Sequence, residues 1–319
     1  MKTEQLTEIK IGISSCLLGH EVRFDGGHKH DRYITQTLGD YFTWLPVCPE
    51  VECGLSVPRE SMRLVGDIDS PRLITNKSGR DLTDQMLDWC RLRVEELAEE
   101  DLCGFIFKNR SPSSGMERVK VYDANNVPRA AGVGLFARAF KNRFPLLPTE
   151  EEGRLHDPIL RENFIEQIFV YRRWRDACSS PTPAQLVEFH SSHKLLLMAH
   201  SEKHCREMGR LISAAGKGDI HELMDRYQEL LMAAMRLKPT IKKHVNVLMH
   251  MMGYFKKVIS ADEKQELLTI IDEFRGGLVP LIVPVTLINH YIRKFRDPYL
   301  LRQHYLTPHP IELKLRNHA

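Results

Sequence analysis

Three segments in the first half of the chain place reactive side chains directly after short apolar runs. Ile9 to Ser14 (IKIGIS) leads into Ser15-Cys16-Leu-Leu-Gly19, Phe42 to Val47 (FTWLPV) into Cys48-Pro49-Glu50, and Phe105 to Lys108 (FIFK) into Ser111-Pro112-Ser113-Ser114-Gly115. In an open α/β sheet, ligands bind beyond the carboxyl ends of the strands, so the three loops are expected to converge and make neighbours of Cys16, Cys48, Glu50 and Ser111. Thiols so placed read as metal ligands or free thiols before disulfides. The competing reading is plain structure: buried cysteines as small hydrophobes, Glu50 as a carboxylate at a helix start after Pro49, and Ser111 as a turn or cap. Asp25-Gly26-Gly27, with Arg23 before it and His28-Lys29-His30 after it, either holds a substrate phosphate or ribose or is a simple turn.

The elements that must position these loops follow from patterning. The three apolar runs are β-branched or aromatic, as buried strands are. Between the second and third, Asp81-Leu-Thr-Asp starts a helix predicted to run to about Glu100. Val119 to Tyr122 (VKVY) offers another strand and Gly134 to Phe144 another helix. This is α/β patterning, expected to give a Rossmann-like, mainly parallel sheet.

After Pro145-Leu-Leu-Pro148 the texture changes to helix upon helix. Asp157-Pro158, Thr182-Pro183-Ala-Gln185 and Ser260-Ala-Asp-Glu263 are N-cap or capping-box starts, Asp297-Pro298 is a further start, and Gly276-Gly277 is a C-cap. The expected division is an α/β domain over 1–148 and an all-α domain of about seven helices over 149–319.

The 319 residues carry 45 Lys and Arg against 42 Asp and Glu. Residues 1–150 hold 20 basic and 22 acidic (−2), and residues 151–319 hold 25 and 20 (+5). Five of the seven cysteines lie in the first part and 12 of the 15 histidines in the second. The basic second part permits an anionic partner such as nucleic acid. Lys242, Lys243, Lys256 and Lys257, at the ends of a helix expected to begin near Thr240, are either a solvated face or phosphate contacts, and Arg172, Arg173 and Arg175 around Trp174 are a second such group. His190, His193 and His200 match no zinc-ligand spacing. With 42% hydrophobic and 27% charged residues, and apolar runs well short of the roughly 20 a membrane span needs, the chain reads as folded, globular and without a transmembrane helix. The polar start MKTEQLTEIK argues for the cytoplasm. Nothing in the sequence calls for an obligate protein partner.

The runs SSCLLG at Ser14 to Gly19, VRFDGG at Val22 to Gly27, PVCPEV at Pro46 to Val51 with GL and PRE following, and SPSSG at Ser111 to Gly115 resemble the TudS-type thiouracil desulfidase domain. RENFI near Arg161, FHSSHKLLLMAHS from Phe189, HVNVLMH from His244 and VPLIVPVTLINHY from Val279 resemble the YbgA-like domain. In order and spacing the whole looks most like fusions of the two that remove sulfur from 4-thiouridine in tRNA.

The resemblance implies a 4Fe-4S cluster with three protein ligands and one open iron. Cys16 and Cys48 match two of the ligands, and the third, the cysteine of an SPSCG loop, is Ser114 here. Cys53 and Cys103 are conceivable substitutes, Cys53 the better placed. Glu50 matches the family's CPE glutamate, implying a general base, and Ser111 the first serine of SPSCG, implying substrate orientation or proton relay. Two other readings remain open: a desulfidase of free thiouracil or thiouridine, and a cluster-deficient RNA-binding protein in which Ser114 reflects lost chemistry.

Overall fold

A computed structural model describes residues 8–213 and 218–318, and divides the chain into two compact units between His156 and Asp157. Most of the polar N-terminal stretch lies outside the described residues. Among those described, no helix is long and apolar enough to cross a membrane.

The first unit runs β1 (Lys10–Ser14), β2 (Thr43–Val47), α1 (Pro49–Glu52), β3 (Met62–Val65), β4 (Arg72–Thr75), α2 (Thr83–Ala98), β5 (Leu102–Phe107), β6 (Val119–Tyr122), β7 (Pro128–Gly132), α3 (Leu135–Arg143) and β8 (Thr149–Glu151). One sheet has the order β2-β1-β5-β8 and is parallel throughout, as expected. Every residue of β5 is buried, as in a strand covered on both faces. Phe105 and Phe107 of β5 meet Phe136 and Phe140 of α3, with ring centroids 4.6 to 6.1 Å apart. Each such buried ring contributes roughly 1.5–3 kcal/mol. Gly12 of β1 lies opposite Phe105 in the register, and a Cβ there would fall 2.3 Å from its ring. Only glycine lets that ring lie flat across the central strand.

The structure adds two details to this reading. VKVY forms β6 as expected, and β3, β4, β6 and β7 make a separate mixed sheet in the order β4-β3-β6-β7. The predicted boundary at residue 148 falls within the first unit, because β8 pairs with β5 and a helical turn over Arg154–His156 follows. Three-residue strands with acidic side chains carry no apolar pattern to announce them.

The second unit consists, among its described residues, of helices α4 (Pro158–Cys178), α5 (Pro183–His200), α6 (Glu202–Ser213), α7 (Ile220–Met235), α8 (Ile241–Phe255), α9 (Ala261–Arg275) and α10 (Ile282–Phe295), closed by short 3-10 turns. Asp157, Thr182 and Ser260 cap their helices as read from sequence, while Asp297 caps only a 3-10 turn at Leu300–Arg302. Trp174 is fully buried and stacks on Tyr227 at 4.9 Å, so it belongs to the core and not to a base-stacking surface.

Candidate active site

The carboxyl ends of β1, β2 and β5 open onto one cleft of about 360 Å³, lined by Cys16, Cys48, Glu50, Ser111, Ser113 and Ser114 among others. The expected convergence of the three loops is therefore present, at the place the parallel sheet dictates.

Cys16 sits on a 3-10 turn after β1 and is 8% exposed. Burial pushes its thiol up to about 11, partly opposed by the Lys108 ammonium. Burial also raises the Cys48 thiol. Cys48 adds to the rise at Cys16, and both residues line the cleft. Thiols held this way need a bound cation to become thiolates at neutral pH.

Glu50 occupies the first turn of α1, where Pro49 sets the helix start. Its Oε2 is ion-paired with the buried guanidinium of Arg59, and its Oε1 accepts from Ser113 Oγ at 2.8 Å. Ser113 Oγ is 3.0 Å from Ser111 Oγ, which accepts the backbone N–H groups of Ser113 and Ser114 at 3.3 and 3.1 Å. A hydroxyl has one proton, and Ser113 gives it to the carboxylate. The Ser111 hydroxyl must then donate to Ser113, which makes a directed series from Ser111 through Ser113 to Glu50. The loop is held tightly, since a Cβ on Gly134 would lie 2.5 Å from the Ser113 carbonyl oxygen.

Ser113, Arg59 and Lys108 are site residues that the sequence reading did not single out. Ser113 stood between two serines already assigned roles, and Arg59 lay within the PRE run, but pairing across the fold has no local signature. Lys108 Nζ is anchored by Glu152 and Asn109, and its backbone N–H donates to Ser14 Oγ at 2.9 Å.

Other expected residues stand elsewhere. Cys53 is not among the cleft-lining residues; its thiol donates to the Glu50 carbonyl at 3.3 Å, within electrostatic reach of Cys90 on α2. Cys103 is buried at the opposite end of β5 from the cleft. Arg23 lines the cleft, while Asp25, Gly26 and Gly27 make a tight turn behind it: Asp25 Oδ1 accepts from Arg23 Nε and the Gly27 N–H, and Gly26 has φ of +75°.

In the second unit the four lysines do not form one patch. α8 rises about 1.5 Å per residue, so Lys242 and Lys256 are about 21 Å apart. Lys243 is half-buried, its ammonium donating to the His200 carbonyl at 2.6 Å. Arg172 pairs with Asp176, Arg173 donates to His193 Nε2 and the Pro308 carbonyl, and Arg175 is half-buried. The helix buries Val245, Val247, Leu248, Met251 and Phe255, while Met249 is exposed.

Residues 11–152 match the family model described as 2-thiouracil desulfurase, and residues 194–310 the one described as a protein of unknown function, DUF1722. The uncharacterized protein YbgA of Escherichia coli (strain K12) is 32% identical over 142 residues, 43% of this chain and 81% of that protein. The uncharacterized protein YbbK of Bacillus subtilis (strain 168) is 31% identical over 108 residues, 32% of this chain and 71% of that protein. A solved structure titled as the [4Fe-4S]-dependent thiouracil desulfidase TudS matches with 27% identity over 47% of this chain and 95% of that one, at a TM-score of 0.39. The chain belongs with the YbgA and YbbK proteins, and joins a segment that matches the 2-thiouracil desulfurase model to a YbgA-like helical unit.

Proposed function

We propose that the protein is a tRNA 4-thiouridine desulfidase: water replaces sulfur at the pyrimidine C4, giving uridine and hydrogen sulfide. The observation that carries this reading is the hydrogen-bonded series Ser111, Ser113 and Glu50 facing Cys16 and Cys48 in one cleft.

The donor set fits a 4Fe-4S cluster with one change: two soft thiols and the hard hydroxyl of Ser114 line the same cleft. Such a cluster, bound by Cys16, Cys48 and Ser114, would supply an open iron as a soft Lewis acid for the departing sulfur, with no net redox change. The chain's own residues do the rest. Glu50 takes a proton from the attacking water, with Arg59 holding its carboxylate in place. Once Glu50 is protonated the series reverses, Glu50 donating to Ser113 and Ser113 to Ser111, so that Ser111 passes a proton to the substrate.

Removing the Ser113 hydroxyl breaks the series while leaving both ends. Ser113→Ala is expected to lower kcat by roughly 10-fold or more, because it disorders a base worth about 100-fold, with iron content unchanged. An unaltered kcat would reduce Ser113 to a loop support.

A phosphate-bearing substrate suits the cleft better than a free base. Arg23, Lys29, Lys108 and Arg110 line it, and Glu50 is the single carboxylate among the lining residues. The deciding experiment is sulfide release by anaerobically reconstituted protein from thiolated tRNA, compared with free 4-thiouridine and thiouracil. Faster turnover of the free compounds would favour the small-molecule reading, and no release from any substrate the RNA-binding one.

For the helical unit, tRNA affinity should fall steeply with salt. Changing the exposed Lys242, Lys256 and Lys257 to alanine should flatten that slope by about one unit for each of these lysines that neutralises a phosphate. Lys243 is left in place because its ammonium ties α8 to the end of α5. An unchanged slope would move the RNA surface away from this helix.

A further inference from the structure

Glu166, directly after the RENFI motif, meets His200 of the MAHS that ends FHSSHKLLLMAHS, in a buried cluster that the desulfidase reading does not use. Glu162 and Glu166 stand four residues apart on one face of α4. One carboxylate oxygen from each and a ring nitrogen of His309 lie within 4.8 Å of one another. We propose that Glu162, Glu166 and His309 bind one divalent transition-metal cation.

The second observation concerns His309 itself. It is 8% exposed, and its Nε2 is buried with no hydrogen-bond partner among the described residues. Its Nδ1 donates to the Pro310 carbonyl oxygen at 3.1 Å, which leaves the lone pair on Nε2. A histidine ring held by a carbonyl at one nitrogen, with the other free and two carboxylates nearby, is the usual arrangement of a metal ligand.

The hydrogen bonds around the carboxylates suit an outer shell. Arg316 Nε donates to Glu162 Oε1 at 3.3 Å and its Nη2 to Glu166 Oε1 at 2.9 Å, His318 Nε2 lies 2.7 Å from Glu162 Oε2, and His200 Nε2 lies 3.0 Å from Glu166 Oε2. These use one lone pair on each oxygen and leave the other. Two hard oxygens and one imidazole suit Mn²⁺, Fe²⁺ or Zn²⁺, with water completing the coordination.

Mn²⁺ separates this site from the cleft, because thiols are poor ligands for it. The full chain, stripped with a chelator, is titrated with Mn²⁺ while free Mn²⁺ is followed by electron paramagnetic resonance. We expect about one Mn²⁺ per chain, and binding at least about 10-fold weaker in His309→Gln and Glu162→Gln. Bound Mn²⁺ should also raise the melting temperature of the unaltered protein, a measurement that stands even if a variant misfolds. No binding and no shift in the unaltered chain, or equal binding in well-folded variants, would mean that Arg316 and the histidines complete the cluster by themselves.

Discussion

Glu50→Gln is expected to lower turnover of thiolated tRNA by roughly 100-fold or more while leaving bound iron unchanged, since a positioned general base contributes about that much. Glutamine keeps the shape of the side chain, and its carbonyl oxygen can still accept from Ser113. What it loses is the charge facing Arg59 and the ability to take a proton from water. Glu50 is not a cluster ligand in this reading, so iron content separates loss of the base from loss of the site. Single-turnover sulfide release with matched iron loading makes the measurement. Near-normal turnover would leave Glu50 as the carboxylate that keeps Arg59 and the loop after α1 in register.

The second large effect is expected at Ser114, which is 3% exposed and lines the cleft with Cys16 and Cys48. An alkoxide is harder than a thiolate, and the hydroxyl gives up its proton far less readily. Ser114→Cys should therefore hold iron at least about 10-fold more persistently against a chelator, with sulfide release rising in proportion. The rest of the loop should not move, because its backbone N–H groups are already fixed on Ser111 Oγ. Iron retention equal to that of the unaltered protein would show that Ser114 takes no part in holding it.

The residues of the site were largely legible in the sequence because each lies immediately after a strand. Strand ends have local signals: an apolar β-branched or aromatic run, then cysteine, proline, serine or glycine. Parallel pairing of β1, β2 and β5 then forces their C-terminal loops to one edge of the sheet, so Cys16, Cys48, Glu50, Ser111 and Ser114 meet whatever the details of packing. Helix caps such as Asp157, Thr182 and Ser260 were equally legible, since a cap acts within three residues of the backbone it satisfies.

Pairings between segments distant in sequence were decided only by the tertiary structure. Arg59 reaches Glu50 across a loop, Ser113 bridges 63 positions to the same carboxylate, and Arg316 returns from the C-terminal turns to Glu166 on α4. No local propensity encodes such pairs; they form where burial leaves a charge with no water and one partner within reach. The same cause withdrew Arg173 and Lys243 from the surface, because carbonyls at Pro308 and His200 needed donors. Composition gave the second half its positive charge, but packing settled which of those charges still face solvent.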